Sequence, residues 1–391
     1  MKITVISFVI ENDKSCGNEK MRTVCRENSC TGCMACIGKC KKNAITIKDS
    51  MVAYNAVIDE DKCVNCGMCE KLCPNNQGAE KRKPIDWKEG WAPENIRGRA
   101  SSGGAASAMM KYFVEDGGYV ATCIFKQGEF VFEITNSVEE LIDFAGSKYV
   151  KSNPIGIYAK VIEKLKHGEK VLFIGLPCQV AALRNYIGDP LSEKLTTIDL
   201  ICHGTPSPKI LDIFLKQYDE NTCKMSSIDF RVKGNFQVSE KSRTIATHGV
   251  CDRYMISFLT GLSYTENCYS CKYAQEKRPG DITLGDSWGT ELPENEWKKG
   301  ISLVLCQTEK GKALLENANI KVVDVNIDKA KSHNHQLEHP SKAPKSRKNF
   351  IKHIKHGMKF NCAVFLALPK DCGKQAIKEI LIKCKLLTPG G

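Results

Sequence analysis

Two stretches of identical spacing constrain this chain more than any other feature. Residues 30–40 read CTGCMACIGKC and residues 63–73 read CVNCGMCEKLC, followed by Pro74. Each is C-x2-C-x2-C-x3-C, the spacing that wraps three thiolates round one iron–sulfur cubane and sends the fourth to a neighbouring cluster. The crossed assignment puts Cys30, Cys33, Cys36 and Cys73 on one 4Fe–4S cluster and Cys63, Cys66, Cys69 and Cys40 on the other. Zinc knuckles pair two C-x-x-C units that lie far apart, so two such dense quartets favour iron and sulfide. Gly32 and Gly67 lack a Cβ, which lets backbone N–H groups approach the sulfides. Between the motifs, AITIKD and VAYNAVIDEDK read as a β-hairpin. Lys41 follows the first motif where Pro74 follows the second, a difference expected to alter local rigidity and not ligation.

The chain has 21 cysteines in 391 residues. In a small secreted protein these would read as disulfides, but a chain this long does not need stapling. Clustering at ligand spacing points to a reducing, cytoplasmic setting. No run approaches the ~18 apolar residues of a membrane span. ITVISFVI near the start lacks the cleavage site of a secretory signal. The net charge of +12 has much of its excess in KAPKSRKNFIKHIKHGMK, residues 342–359. That suits an acidic electron carrier such as ferredoxin or flavodoxin, an anionic glycan intermediate or a membrane surface, and equally a solvated tail. Nothing resembles a nucleic-acid module. Oligomeric state is not legible.

The expected organisation is a 1–20 extension, absent from the native protein or disordered, with Cys16 and Cys25 as incidental thiols. An α+β ferredoxin-like module over residues 21–78 and a polar linker over 79–98 follow. Residues 99–327 then read as an α/β domain with a mixed, largely parallel sheet, and 328–391 as a basic helical tail. In the α/β domain, helices alternate with apolar runs such as VLFIG and LTTIDLI, the pattern of parallel strands. SIDFRV and DITLGD are expected to extend the same sheet, and SVEELIDFA to form a helix.

Ligands gather beyond the carboxyl ends of such strands. Cys178 follows VLFIG at a helix start and Cys202 follows TIDLI, so both should face one rim. Cys268 and Cys271, in CYSCKYAQEKRPGDITLGDSWG, would complete a set of four. That set admits a third 4Fe–4S cluster, a structural zinc, a disulfide or neutral buried thiols. Cys123, Cys223, Cys251, Cys306, Cys362, Cys372 and Cys384 show no ligand spacing. Ser101, Ser102, Gly103 and Gly104 open a helix in a way that suits a phosphate or a flavin edge, or simply a cap. Neither a dinucleotide-binding glycine fingerprint nor a P-loop is present.

RASSGGAASAM, AGSKYVKS, VLFIGLPCQVAAL, IDLICHGTPSP and CYSCKYAQEKRPGDITLGDSWG, in this order, resemble the coenzyme F420 hydrogenase/dehydrogenase beta-subunit family. The form resembled carries an N-terminal two-cluster ferredoxin, as in bacterial exopolysaccharide loci. The resemblance implies a non-covalent flavin, normally FAD, and a core cluster held by Cys178, Cys202, Cys268 and Cys271. The function it implies is an iron–sulfur flavoprotein oxidoreductase acting on a small or glycan-linked organic substrate. Lys148 is a candidate near the flavin ring or phosphate, or else an exposed lysine. His203 is a candidate proton donor or a histidine orienting the cluster. Asp281 and Asp286 either bind hydroxyls or cap turns. Competing readings are a non-catalytic electron-transfer subunit and a zinc-and-ferredoxin regulator.

Overall fold

The computed structural model describes residues 22–188, 191–232, 235–241, 243–246 and 249–387. The expected 1–20 extension, with Cys16, lies outside the described residues. The strands are β1 (Ile45–Asp49), β2 (Tyr54–Ile58), β3 (Asp86–Trp91), β4 (Tyr119–Lys126), β5 (Glu129–Thr135), β6 (Val171–Gly175), β7 (Leu195–Leu200), β8 (Asp229–Val232), β9 (Asn235–Glu240), β10 (Arg243–Thr244), β11 (Ile282–Asp286), β12 (Ser302–Cys306) and β13 (Lys321–Asp324).

The β1–β2 hairpin carries the two cysteine motifs at its ends, and each motif runs into a one-turn helix, Ala35–Lys39 and Met68–Leu72. The large sheet has the order β13-β3-β12-β11-β7-β6-β4-β5. Its centre, β11-β7-β6-β4, is parallel, and antiparallel pairs flank it on both sides. Burial of all five β6 residues accounts for the unbroken apolar run VLFIG, since a central parallel strand is covered on both faces. Leu172 and Ile174 pack towards the helices Ala105–Glu115 and Glu309–Asn317. Val171 and Phe173 pack towards the helices Ile157–Lys166 and Pro177–Ile187, in one core with the ferredoxin residues Val24, Ala35, Ile45 and Tyr54. The ferredoxin module is thus part of one covering layer of the sheet.

Three expectations are corrected. The expected linker contains β3, which pairs with β12 on one side and β13 on the other. DWKEGW looks like linker because it is charged. Its one deeply buried charge, Glu89, accepts hydrogen bonds from Ser287 Oγ (2.6 Å) and Thr290 Oγ1 (2.9 Å), so the strand tolerates it. SIDFRV does not extend the large sheet. Its strand β8 pairs with β9 in a separate three-stranded sheet. SVEELIDFA condenses to one turn of helix, Leu141–Phe144.

The C-terminal helices Arg347–Lys355, Phe360–Ala367 and Pro369–Lys383 are part of the fold. Phe360 packs against Phe214 and Phe350 at centroid distances of 5.5 and 5.7 Å. Arg347 donates to Tyr264 O (2.8 Å) and Glu266 Oε1 (2.5 Å), which ties this segment to the loop carrying Cys268. Among the described residues, no helix is long and apolar enough to cross a membrane.

Candidate iron–sulfur relay

The two ferredoxin motifs curl alike. Gly32 and Asn65, each two residues beyond the first cysteine, have φ of 75° and 54°. Met34 and Gly67, each following the second cysteine, have φ of 56° and 68°. These left-handed residues turn the backbone inward, and Gly32 N and Asn65 N donate to Cys30 Sγ and Cys63 Sγ, both at 3.4 Å. The glycines at 32 and 67 are therefore not equivalent positions, since the counterpart of Gly32 is Asn65.

The crossed quartets differ in depth. Cys30, Cys33, Cys36 and Cys73 are all buried, at 6–8% exposure. Cys66 is exposed, and Cys40, Cys63 and Cys69 are half-buried. Cys73 lies within electrostatic reach of Cys30, Cys33 and Cys36, as the crossed assignment requires. Cys25 joins this inner set. It is 7% exposed, hydrogen-bonds to Cys30 and Cys73, and its thiol is pushed far up, first by those bonds and then by burial. Its expected role as an incidental thiol is corrected on that ground. The only hint in the sequence was its place five residues before Cys30.

The α/β domain grips the inner set. Tyr158 OH donates to Cys33 O (2.9 Å), Tyr186 OH to Gly38 O (3.0 Å) and Tyr273 OH to Pro74 O (3.1 Å). Directly beyond lies a cavity of about 300 Å³ lined by Cys178, Cys202, Cys268 and Cys271 together with Thr31, Asn75 and Lys151. Cys178 is the second residue of the helix Pro177–Ile187, and Cys202 stands beyond the end of β7. The sheet rule thus placed both on the correct rim. Cys268 sits in the one-turn helix Glu266–Ser270, and Cys271 follows it.

The C-x-x-C loop is fixed from below. Arg278, 1% exposed, pairs with Asp199 (0% exposed) through Nε–Oδ1 at 3.0 Å, and donates to Tyr273 O and Leu200 O, both at 2.5 Å. Asp199 also accepts from Gly280 N and Thr283 Oγ1, both at 2.9 Å. Gly204 has a φ of +141°, and a Cβ there would lie 2.3 Å from the Tyr264 ring, so only glycine lets the chain after Cys202 pass under that ring.

Burial pushes Cys178 well up and Cys202 up to about 12, with neighbouring cysteines adding to both. Burial also raises Cys271. As free thiols these groups would stay neutral, whereas metal coordination deprotonates a thiol outright. Cys268 Sγ accepts from Thr205 N (3.4 Å) and Asn267 Nδ2 (3.6 Å), the hydrogen bonds that a ligating thiolate uses. Among the described residues, no three His, Cys, Asp or Glu side chains converge as closely as a single metal ion needs. The donor set and space fit a 4Fe–4S cluster.

His203 also lines the cavity. Gln336 Nε2 approaches its Nδ1 at 2.7 Å, and burial, with His335, lowers its pKa to about 4. It is therefore neutral at pH 7, with Nε2–H left to donate. The Ser101–Gly104 segment lies beside the sheet's carboxyl rim. Ser101 Oγ accepts from Ser147 N (3.0 Å), and Ser102 Oγ donates to Ile301 O (2.8 Å). A Cβ on Gly103 would meet Ser302 N at 2.5 Å and Gly90 O at 2.6 Å, so this glycine serves close packing. Lys148 Nζ donates to the carbonyls of Phe144, Ala145 and Gly146 at 2.8–2.9 Å. The start of the helix Ala105–Glu115 has no side-chain cap, and Gly103, Gly104 and Ala105 are buried there, Gly104 against Ala92, Arg97 and Ala100. Asp281 stands at the opposite, amino end of β11, bonded to Thr197, Arg184 and Thr308, so the hydroxyl-binding alternative for it is excluded. Asp286 is at the carboxyl end and pairs with Arg231 at 2.6 Å.

Three family models match successive parts of the chain. The 4Fe-4S dicluster domain matches residues 29–77. The N-terminal and C-terminal domains of the coenzyme F420 hydrogenase/dehydrogenase beta subunit match residues 88–156 and 168–330, together more than half the chain. The F420-dependent formate dehydrogenase subunit beta of Methanocaldococcus jannaschii is 29% identical over 233 residues, 56% of this chain and 55% of that protein. The coenzyme F420-dependent sulfite reductase of the same organism is 23% identical over 325 residues, 77% of this chain and 48% of that protein. This chain spans about half the length of these curated relatives. A solved chain of the F420-reducing nickel–iron hydrogenase complex from Methanosarcina barkeri covers 71% of this chain, and 94% of its own length, at 20% identity and a TM-score of 0.48. With the dicluster motifs followed by both matched domains, the chain belongs to the coenzyme F420 hydrogenase/dehydrogenase beta-subunit family.

Proposed function

We propose that this chain is an iron–sulfur flavoprotein oxidoreductase, in which electrons pass from a one-electron carrier through the outer and inner ferredoxin clusters and a core cluster. The observation that carries this reading is the order of the cysteine sets. Cys40, Cys63, Cys66 and Cys69 are the most exposed, the inner set is buried behind them, and Cys178 lies within electrostatic reach of Cys33 at the sheet rim. A flavin, FAD by the resemblance, supplies two-electron hydride chemistry towards a small or glycan-linked organic substrate. The start of the helix Ala105–Glu115 stands near this rim without a side-chain cap, and its dipole would favour an anionic part of such a cofactor. Ser101, Ser102, Gly103 and Lys148 shape that rim through the internal bonds described above. His203, neutral with its proton on Nε2, offers a hydrogen bond beside the core set and orients it, and the proton-donor alternative is corrected because burial keeps the imidazolium from forming.

A second reading, an electron-transfer subunit of a larger complex, is favoured by large apolar side chains left exposed on the last two helices. Phe365, Leu366, Ile377 and Ile380 are each 50–62% exposed. Iron, sulfide and flavin per chain, measured on anaerobically purified protein, test the first reading. About twelve irons and one flavin are expected, and about eight irons with no flavin would overturn it. Reduction of the bound flavin without turnover by the isolated chain would favour the second reading.

A further inference from the structure

Lys151 is 5% exposed, and its ammonium donates to Thr31 O at 2.9 Å, inside the C-x-x-C turn between Cys30 and Cys33. The same side chain lines the cavity of Cys178, Cys202, Cys268 and Cys271. Its stem runs along Gly32 and the Tyr54 ring, with Nζ 5.4 Å from the ring centroid. Its backbone is pinned through N–H to Pro206 O at 2.9 Å. Among the described residues, no carboxylate forms an ion pair with it. A buried lysine without a counter-anion is rare, because desolvation of the ammonium is costly. The groups facing it are cysteines, and among the effects on Cys30 and Cys178 its charge acts to favour the thiolate. Clusters ligated by four thiolates carry net negative charge, more so when reduced.

We propose that Lys151 is a shared counter-cation for two neighbouring cluster sites, the inner ferredoxin set and the core set, and that it sets the potentials between which an electron crosses. The inner half rests on the dicluster motif, and the core half rests on the function proposed above. Lys151 is a positioning residue, since its charge acts through the ligands. A fixed positive charge stabilises the reduced form, so its loss lowers the potential of both sites. The partly exposed outer set, separated by the inner one, is little affected.

The test is an EPR-monitored redox titration of the holoprotein, with Cys66→Ser and Cys178→Ser assigning the outer and core signals. Lys151→Met keeps the stem and removes the charge, and Lys151→Arg restores the charge. In the Met variant we expect the inner and core reduction equilibria each to fall about ten-fold or more, ~59 mV for a one-electron couple. Iron content and the outer potential should not change, and Arg should return both potentials towards wild type. Unchanged potentials in an iron-replete Met variant would overturn the proposal. A shift at the inner site alone, with core iron present, would overturn the shared role. Were the wild type to hold only about eight irons, the core-set reading would fail by itself, and the inner shift would still test the charge of Lys151. Should the Met variant lose iron, Lys151→Gln, which removes the charge and keeps an N–H donor, is judged by the same criteria.

Discussion

Replacing Arg278 by Met should release the core cysteine loop while leaving the ferredoxin intact. Arg278 and Asp199 form a pair at 1% and 0% exposure, and Arg278 holds two further carbonyls, one from the loop at Tyr273 and one from β7 at Leu200. Breaking such a pair from one side strands a buried carboxylate, which costs about 3–5 kcal/mol. Gly280 N and Thr283 Oγ1 still hold Asp199, so the lower part of that range, about 3 kcal/mol, is the expected loss. That corresponds to roughly two decades in the folding equilibrium. Anaerobic urea denaturation should show a lower midpoint at unchanged slope. Iron per chain should fall by about four, with the ferredoxin EPR signals kept. Arg278→Met combined with Asp199→Asn should recover part of the loss, because no charge is then stranded. A single variant within about 1 kcal/mol of wild type, or a double variant no better than the single, would refute this account of the pair.

Three further outcomes follow from the geometry. Cys25→Ala should keep the full iron content, whereas Cys73→Ala should lose about four irons, because Cys73 and not Cys25 is assigned as the ligand; iron analysis of both variants decides it. Gly103→Ala, which sets a Cβ 2.5 Å from Ser302 N, should destabilise the protein by about 1–3 kcal/mol and lower any flavin content, read by denaturation and by absorbance. Asp252 caps the helix Arg253–Leu259 through Met255 N, and burial raises its pKa to about 6. A carboxyl raised on folding contributes stability at low pH that is lost as pH rises through the folded value. The stability of Asp252→Asn relative to wild type should therefore grow as pH is raised from 5 to 7.5, checked by denaturation midpoints across that range.

What the sequence showed and what it hid follow from how far each interaction reaches. The 4Fe–4S dicluster character of the first module was legible because cysteine spacing within a motif is a local constraint. Cys178 and Cys202 were legible because an apolar strand followed at once by a cysteine places that cysteine at a carboxyl rim. The same rule separates Asp281, which precedes its strand and stands at the amino end, from Asp286 at the carboxyl rim. β3 was hidden because its charges imply solvent, while the hydroxyls that satisfy Glu89 come from residues 287 and 290. The serines and Lys148 looked available for a flavin because their partners, at Ile301, at Ser147 and at the end of a one-turn helix, form only when the chain folds.

By itself, then, the sequence determined the cluster chemistry, the α/β pattern and the rim on which the second cysteine set stands. Only the tertiary structure decided that the inner ferredoxin set abuts the core set, that Cys25 completes its surroundings, and that a lysine 120 residues from Thr31 lies between them. Cysteine spacing within a motif is specified by neighbours along the chain. The lysine beside the inner set is placed by packing, and packing ignores distance along the chain.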